Sequence, residues 1–431
     1  MSHRTSGEKF YFGWYIVLIS CMITLLTVGT RLGIGPFFKP MADELGVSRT
    51  FLSFVISVGM LAYGAGMPVA GKLVERYGTR FVLLSGLGMI TVATLWTIWT
   101  ADTVSFFLAY GILLSFGLAF TSPVAMTPVI SKWFTRQRGR ALFYLSTGAM
   151  AGIAVMTPVF QWLIGWIGWR DTLLVLDIVF IVILIPSAIW IIRDEAPAGT
   201  DLLPGQLASS HLSQTLSANQ MIPLVDWKGA LRTKPFWNIA AGLFVCGFSM
   251  NVLGSHGVPM LTDHGFSEMT ASFGVGLIGI VAVGSTVVLG SLSDKLPRKN
   301  LLSLIYLIRG IGFLLIAVVM TPWQLYLVSV MGGLAWAGST ALSSAILGDV
   351  YGVRWVGVLY GWTYFVHQIG AAVGSFLAGW GYETFGTHLP SFGLTALLLA
   401  AASLLSFYLP VQVRYANHLQ PSAHSSVSGS R

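Results

Sequence analysis

Charge is what this chain has least of. Asp, Glu, Lys and Arg make up 9% of its 431 residues, against 55% apolar residues and a mean hydropathy of +0.76. A soluble protein of this length needs a charged surface over two or three domains, so the composition excludes one. Cysteine is nearly absent too. Cys21 and Cys246 stand alone in apolar stretches, which excludes a disulfide framework. The sequence also lacks metal-ligand spacings, a nucleotide-binding glycine loop and a nucleophile constellation. Neither an enzyme nor ATP-driven transport is expected, and no cofactor. The first apolar run is too long for the core of a cleaved signal and reads as a membrane-spanning helix.

Long apolar runs fill the chain instead. Twelve recur, at about 12 to 36, 50 to 74, 81 to 99, 104 to 130, 140 to 165, 172 to 192, 236 to 258, 270 to 292, 301 to 320, 323 to 348, 355 to 379 and 390 to 410. Each can cross ~30 Å of hydrocarbon at about 1.5 Å per helical residue, so the expected fold is an all-α membrane protein of twelve spans.

The 24 Lys and Arg outnumber the 16 Asp and Glu, which in a soluble chain would suggest a polyanionic partner. Their placement argues otherwise. With the amino terminus inside, the cytoplasmic side receives Arg4, Lys9, Lys72, Arg76, Arg80, Lys132, Arg136, Arg138 and Arg140 from the first half. From the rest it receives Arg193, Lys228, Arg232, Lys234, Lys295, Arg298, Lys299, Arg354, Arg414 and Arg431. Lys39, Arg49 and Arg170 fall outside, and Arg31 and Arg309 lie within the bilayer. This is the positive-inside asymmetry. It predicts a multi-pass cell-membrane protein with both termini cytoplasmic, surrounded by lipid and without nucleic acid as a partner.

The spans divide six and six. The expected organisation is a six-helix bundle over 1–192, a cytoplasmic linker with a short interfacial helix over 193–235, a second bundle over 236–412 and a disordered tail over 413–431. Asp226 is placed to cap the short helix, whose Trp227, Leu231 and basic residues suit a membrane surface. Sliding the second half onto the first by 219 positions pairs Gly35 with Gly254, Pro40 with Pro259, Met41 with Met260, Gly46 with Gly265 and Gly71 with Gly290. With one residue of drift, Gly139 meets Gly357, Gly152 meets Gly370 and Gly168 meets Gly386. A register held over that length is an internal repeat. Six spans per repeat give both halves the same orientation, the plan of transporters that rock two bundles about a midplane site.

The loop "GKLVERYGTR" at 71 to 80, its weaker copy "GSLSDKLPRK" at 290 to 299, and the basic loop entering "GRALFYLSTGAMAG" resemble the loop motifs of the major facilitator superfamily. The resemblance implies a cytoplasmic latch built from Gly71, Glu75, Arg76, Gly78, Arg80, Gly290, Asp294 and Arg298, with Asp349 joining it. The same residues also fit plain topology signals and helix caps. "FYFGWYIV" followed by "GTRLGIGPFFKPMADELGVSRTFLSF" is similar to the first two helices of the monocarboxylate-transporter branch, with Arg31 eight residues before Lys39. The arginine that such carriers place on helix eight would fall here at Thr286.

A charge in a span must face a cavity or a partner. Thr24, Thr27 and Arg31 share a helical face, and Gly29, Gly33, Gly35 and Pro36 make the backbone easy to bend there. A guanidinium offers a carboxylate two parallel donors; the alternative is snorkelling to the outer headgroups. Tyr360, Tyr364 and His367 share a face of helix eleven, where the histidine could bind an anion or relay a proton. Arg309 either lines the cavity or is a structural cation held by backbone carbonyls. Asn251 and Tyr144 are further candidates. Arg31, Arg309 and His367 map in the repeat to Met250, Ile90 and Ala149, so they occur once, as groups that meet a substrate would.

The expectation is a monomeric secondary transporter of a small organic anion, a monocarboxylate, working by alternating access, with His367 coupling a proton. An exporter of amphipathic compounds and a transporter-fold sensor are the competing readings.

Overall fold

The computed structural model describes residues 11–100, 102–134, 138–196, 227–293, 295–351 and 356–410. Asp226, Asp294, most of the linker and the carboxy-terminal tail lie outside the described residues.

Among the described residues every regular element is a helix. The first half runs α1 (Gly13–Leu32), α2 (Gly35–Leu45), α3 (Arg49–Tyr77), α4 (Thr79–Trp99) and α5 (Thr103–Phe106). A π-helical turn, Phe107–Leu113, then leads into α6 (Leu114–Phe120). Next come α7 (Pro123–Trp133), α8 (Arg138–Val179), a second π turn, Phe180–Leu184, and α9 (Ile185–Ile191). The second half runs α10 (Trp227–Ala230), α11 (Lys234–Asp263), α12 (Glu268–Ser293), α13 (Arg298–Ile316), α14 (Pro322–Leu334), α15 (Gly338–Tyr351), α16 (Val356–Phe385) and α17 (Leu389–Phe407).

Ten described stretches are long and apolar enough to cross a membrane. One of them, Tyr144–Ile191, has 48 residues and leaves helical geometry at Gly168, whose φ is 80°. At about 1.5 Å per residue it is twice the length of one crossing, so it makes two. With the thirty-residue α16, the described helices supply the twelve expected spans. The short helix expected in the linker is present as the four residues of α10.

The glycines matched in the repeat have structural reasons. Gly46 and Gly265 have φ of 62° and 89°, and Gly168 and Gly386 have 80° and 66°. These are left-handed positions where a Cβ is costly, and they recur at equivalent places in the two halves. Prolines stand inside the spans at Pro68, Pro158 and Pro259, as membrane helices tolerate. Caps sit where polar residues precede spans. Ser48 accepts from the amide of Phe51 at 3.0 Å, and Asp102 accepts from the amides of Val104 and Ser105 at 3.0 and 2.8 Å. The bonds with Ser105, then that with Val104, hold the Asp102 carboxyl below its ordinary range.

The chain forms two compact units, residues 1–210 with 254–280, and 211–253 with 281–431. In the first unit α1 crosses α8 at glycines: a Cβ on Gly152 would stand 2.5 Å from the carbonyl oxygen of Leu25. Segment 254–280 is held there by Arg49 on Asp263 at 2.7 Å and by Gln161 on Glu268 at 2.7 Å. In the second unit α11 crosses α16 in the same manner, with Gly247 against the carbonyl of His367 and Gly370 against that of Phe244.

Candidate substrate-binding site

The site in the first unit is built by the end of α1. The helix stops at Leu32, Gly33 bonds back to the carbonyl of Gly29 at 2.7 Å, and a new helix starts at Gly35. The break falls among the glycines that the sequence marks as easy to bend. Arg31 is therefore in the last turn, where the partial negative charge of unsatisfied carbonyls favours a cation.

The other groups of the expected polar stripe, Thr24 and Thr27, bond within their own helix, as does Thr30, which also lines the cavity beside Arg31. Each of the three donates to the carbonyl four residues back. Arg31 is different. Its Cζ lies 4.2 Å from the centre of the Tyr63 ring on α3, and its Nε and Nη1 are buried with no acceptor. A cavity of about 30 Å³ opens beside it, walled by Ile56, Gly59, Met60 and Tyr63 of α3, Tyr110 of the π turn and Leu114 of α6. Gly59 permits that closeness: a Cβ there would meet Ser115 Oγ at 2.7 Å. The arrangement is a guanidinium with two buried nitrogens, lying against an aromatic ring beside a small cavity.

His367, Tyr364, Arg309 and Asn251 belong to the second unit. His367 stacks on Tyr364, with centroids 4.9 Å apart and planes 8° from parallel. Neither imidazole nitrogen makes a well-aligned hydrogen bond, and the Cys246 thiol lies within reach of the ring. Arg309, 1% exposed, donates to the carbonyls of Ala335 at 2.8 Å and of Trp336, to Ser339 at 3.3 Å and to Cys246 Sγ at 3.3 Å. Cys246 thus joins the two cationic candidates. Asn251 donates to the carbonyl of Gly247 at 3.0 Å. Tyr144, in the first unit, is exposed and packs edge-on to Trp14 at 5.8 Å.

The family model of the Major Facilitator Superfamily matches residues 19–320 and 257–429. The chain belongs to the Major Facilitator Superfamily. Among curated members, "Uncharacterized MFS-type transporter YcxA" of Bacillus subtilis is 25% identical over 85% of this chain and 87% of its own length. Monocarboxylate transporter 13 of Bos taurus is 24% identical, covering 95% and 92%. The oxalate:formate antiporter of Oxalobacter formigenes is 23% identical, covering 94% and 92%. The crystal structure of a bacterial homologue of the human lysosomal transporter Spinster, inward-facing and occupied, superposes with a TM-score of 0.70. It has 15% identity and covers 93% of this chain and 97% of that one, a likeness of fold. This is therefore a multi-pass membrane transporter of the superfamily and not an enzyme.

The superfamily loop residues show uneven pairing. Arg298 meets Asp349 at 2.7 Å. In the first copy Gly71 lies in α3, Glu75 and Arg80 are exposed, and Arg76 lies over the ring of Tyr77 at 5.2 Å. Gly290 lies within α12. Gly78, with φ 86°, ends α3 in a conformation that favours glycine, and the carboxylate of Asp194 lies against it. That carboxylate accepts from the amides of Thr79 and, at 3.3 Å, of Arg80, and so caps α4.

Four contributors escape sequence reasoning: Tyr63, Tyr110, Cys246 and Asp194. An aromatic among small residues in α3 is a cue of low specificity for Tyr63, and nothing in sequence spacing links Asp194 to a helix that starts 115 residues earlier.

Proposed function

We propose that this chain is a secondary transporter that moves a small organic anion, a monocarboxylate, by alternating access. The observation that carries the proposal is Arg31, its Cζ 4.2 Å from the centre of the Tyr63 ring, with Nε and Nη1 buried and lacking an acceptor beside a small cavity. A cation within a membrane span must find a partner, and a carboxylate accepting from these buried N–H groups is one. The named monocarboxylate and oxalate:formate relatives support the same chemistry. In this reading His367 carries the coupled proton, the protein acts as a monomer in the cell membrane, and both termini are cytoplasmic, as the loop arginines and lysines favour.

The test is uptake of radiolabelled acetate or lactate by proteoliposomes under an imposed pH gradient. Arg31→Gln should lower kcat/KM about ten- to a hundredfold, the worth of about 1.5–3 kcal/mol for a charge-assisted bond, with Arg31→Lys retaining part of it. Unchanged uptake by Arg31→Gln rejects the assignment of the site. Uptake that ignores the pH gradient and survives His367→Ala rejects proton coupling through the histidine.

A further inference from the structure

Two hydroxyl-bearing side chains share the cavity with Arg31, and the backbone leaves α-helical geometry where they reach it. Tyr110 and Ser115 both line the cavity, five residues apart in sequence. In an unbroken α-helix such a pair points about 140° apart, away from any one small space. Between α5 and α6, however, the chain makes the π turn Phe107–Leu113, in which the amide of Leu114 donates to the carbonyl of Ala109, five residues back. A turn of this width brings residues five apart toward one side. π turns are rare and recur at functional sites.

The fold itself uses neither hydroxyl. Tyr110 is 8% exposed and stacks its ring on Phe106, centroids 5.3 Å apart and planes 8° from parallel, yet among the described residues its hydroxyl has no hydrogen-bond partner. Ser115 Oγ lies against Gly59, 2.7 Å from where a Cβ on that residue would stand, and it too has none. A hydroxyl in a span ordinarily bonds the carbonyl four residues back, as Thr30 of the same cavity does to Leu26 at 2.7 Å. The cavity, about 30 Å³, exceeds the roughly 10–15 Å³ that one water needs, so it has room for an occupant.

Resting on the assignment of Arg31 as the anion site, we propose that Tyr110 and Ser115 are binding residues that donate their hydroxyls to the carboxylate held by Arg31, brought to it by the π turn. A carboxylate has about four lone-pair sites, and two guanidinium N–H groups fill two of them. The rest lose water when the anion enters the span, and neutral O–H donors replace it. Hydroxyls left without partners in the empty protein thus gain them with the substrate bound.

The experiment uses the purified full chain in detergent, with sodium acetate as the probe and affinity read from thermal-shift titrations at constant ionic strength. Tyr110→Phe keeps the ring and removes the hydroxyl; it should raise the Kd for acetate about tenfold, the worth of a hydrogen bond to a charged group. Ser115→Ala should raise it at least about threefold. Both variants should melt, without acetate, at or above the wild-type temperature, since each removes a polar group that the fold leaves unpaired. A ligand-free melting temperature that falls shows a hydroxyl held by the fold and overturns its role in binding. Acetate affinity within about twofold of wild type in both variants overturns the proposal, and in one variant removes that residue from it. Acetate binding unaffected by Arg31→Gln rejects the anion site itself. Binding lost in Arg31→Gln but kept in both hydroxyl variants rejects only the role of Tyr110 and Ser115.

Discussion

Arg309 donates to the carbonyls of Ala335 and Trp336, just where α14 ends and its last carbonyls lack helical partners. A guanidinium there meets the negative end of the helix dipole and satisfies oxygens that would otherwise be buried alone. Arg31 also sits in the last turn of a helix, yet no carbonyl accepts from its Nε or Nη1. The two arginines should therefore respond oppositely to loss of charge. Arg309→Gln should lower the melting temperature by the cost of leaving buried acceptors unpaired, about 1–3 kcal/mol for each. Arg31→Gln should leave the melting temperature unchanged or raise it, as removal of an unpaired buried charge does at binding sites. Differential scanning fluorimetry of both variants checks the contrast. In the sequence the two residues carry one signal, a cation inside an apolar run. What separates them is partners contributed by other helices: Tyr63 from α3 in one case, the end of α14 in the other.

The crossing helices repeat a backbone device in complementary form. Gly152 faces the carbonyl of Leu25, and at the equivalent places Gly370 faces that of Phe244. One turn further along, α1 supplies Gly29 against Met156 of α8, whereas in the second unit α16 supplies Gly374 against Phe248 of α11. The small partner has changed helix while the close approach is kept, which is the behaviour of small residues at membrane helix interfaces. Gly370→Ala places a methyl group on a backbone oxygen that no side-chain rotation can move. It should destabilise the protein by about 1–3 kcal/mol or more, and Ala at the open position Gly361 should cost far less. Thermal unfolding of the pair decides it. Gly152 and Gly370 are legible in the sequence because a backbone constraint keeps its residue in both halves. Gly29 and Gly374 are not, since the 219-residue register pairs Gly29 with Phe248, and only packing explains the exchange.

At the scale of the molecule, the positions of charge and apolar length were enough to foretell twelve spans, since hydrocarbon thickness fixes the length of each, whereas the superfamily was legible only through the resemblance of its loop motifs. The pairing of charges was not. The repeat aligns Glu44 with Asp263 and Arg49 with Glu268, whereas the observed partners are Glu44 with Arg170 and Asp263 with Arg49. The Arg49 and Asp263 side chains are 18% and 22% exposed, so their bond holds segment 254–280 modestly. A double-mutant cycle of Arg49→Ala and Asp263→Ala should give a coupling below about 1 kcal/mol that fades in high salt, read as amide exchange in that segment. The contact of Arg31 with Tyr63 bears also on how the protein is made. Synthesis proceeds from the amino terminus, so α1 enters the bilayer before the helix that carries the ring exists. During that interval the guanidinium lacks the ring it lies against, and the first crossing carries a charge in its last turn that the arrival of α3 begins to cover. The residue proposed to hold a passing anion is thus also one that burdens insertion of the nascent chain.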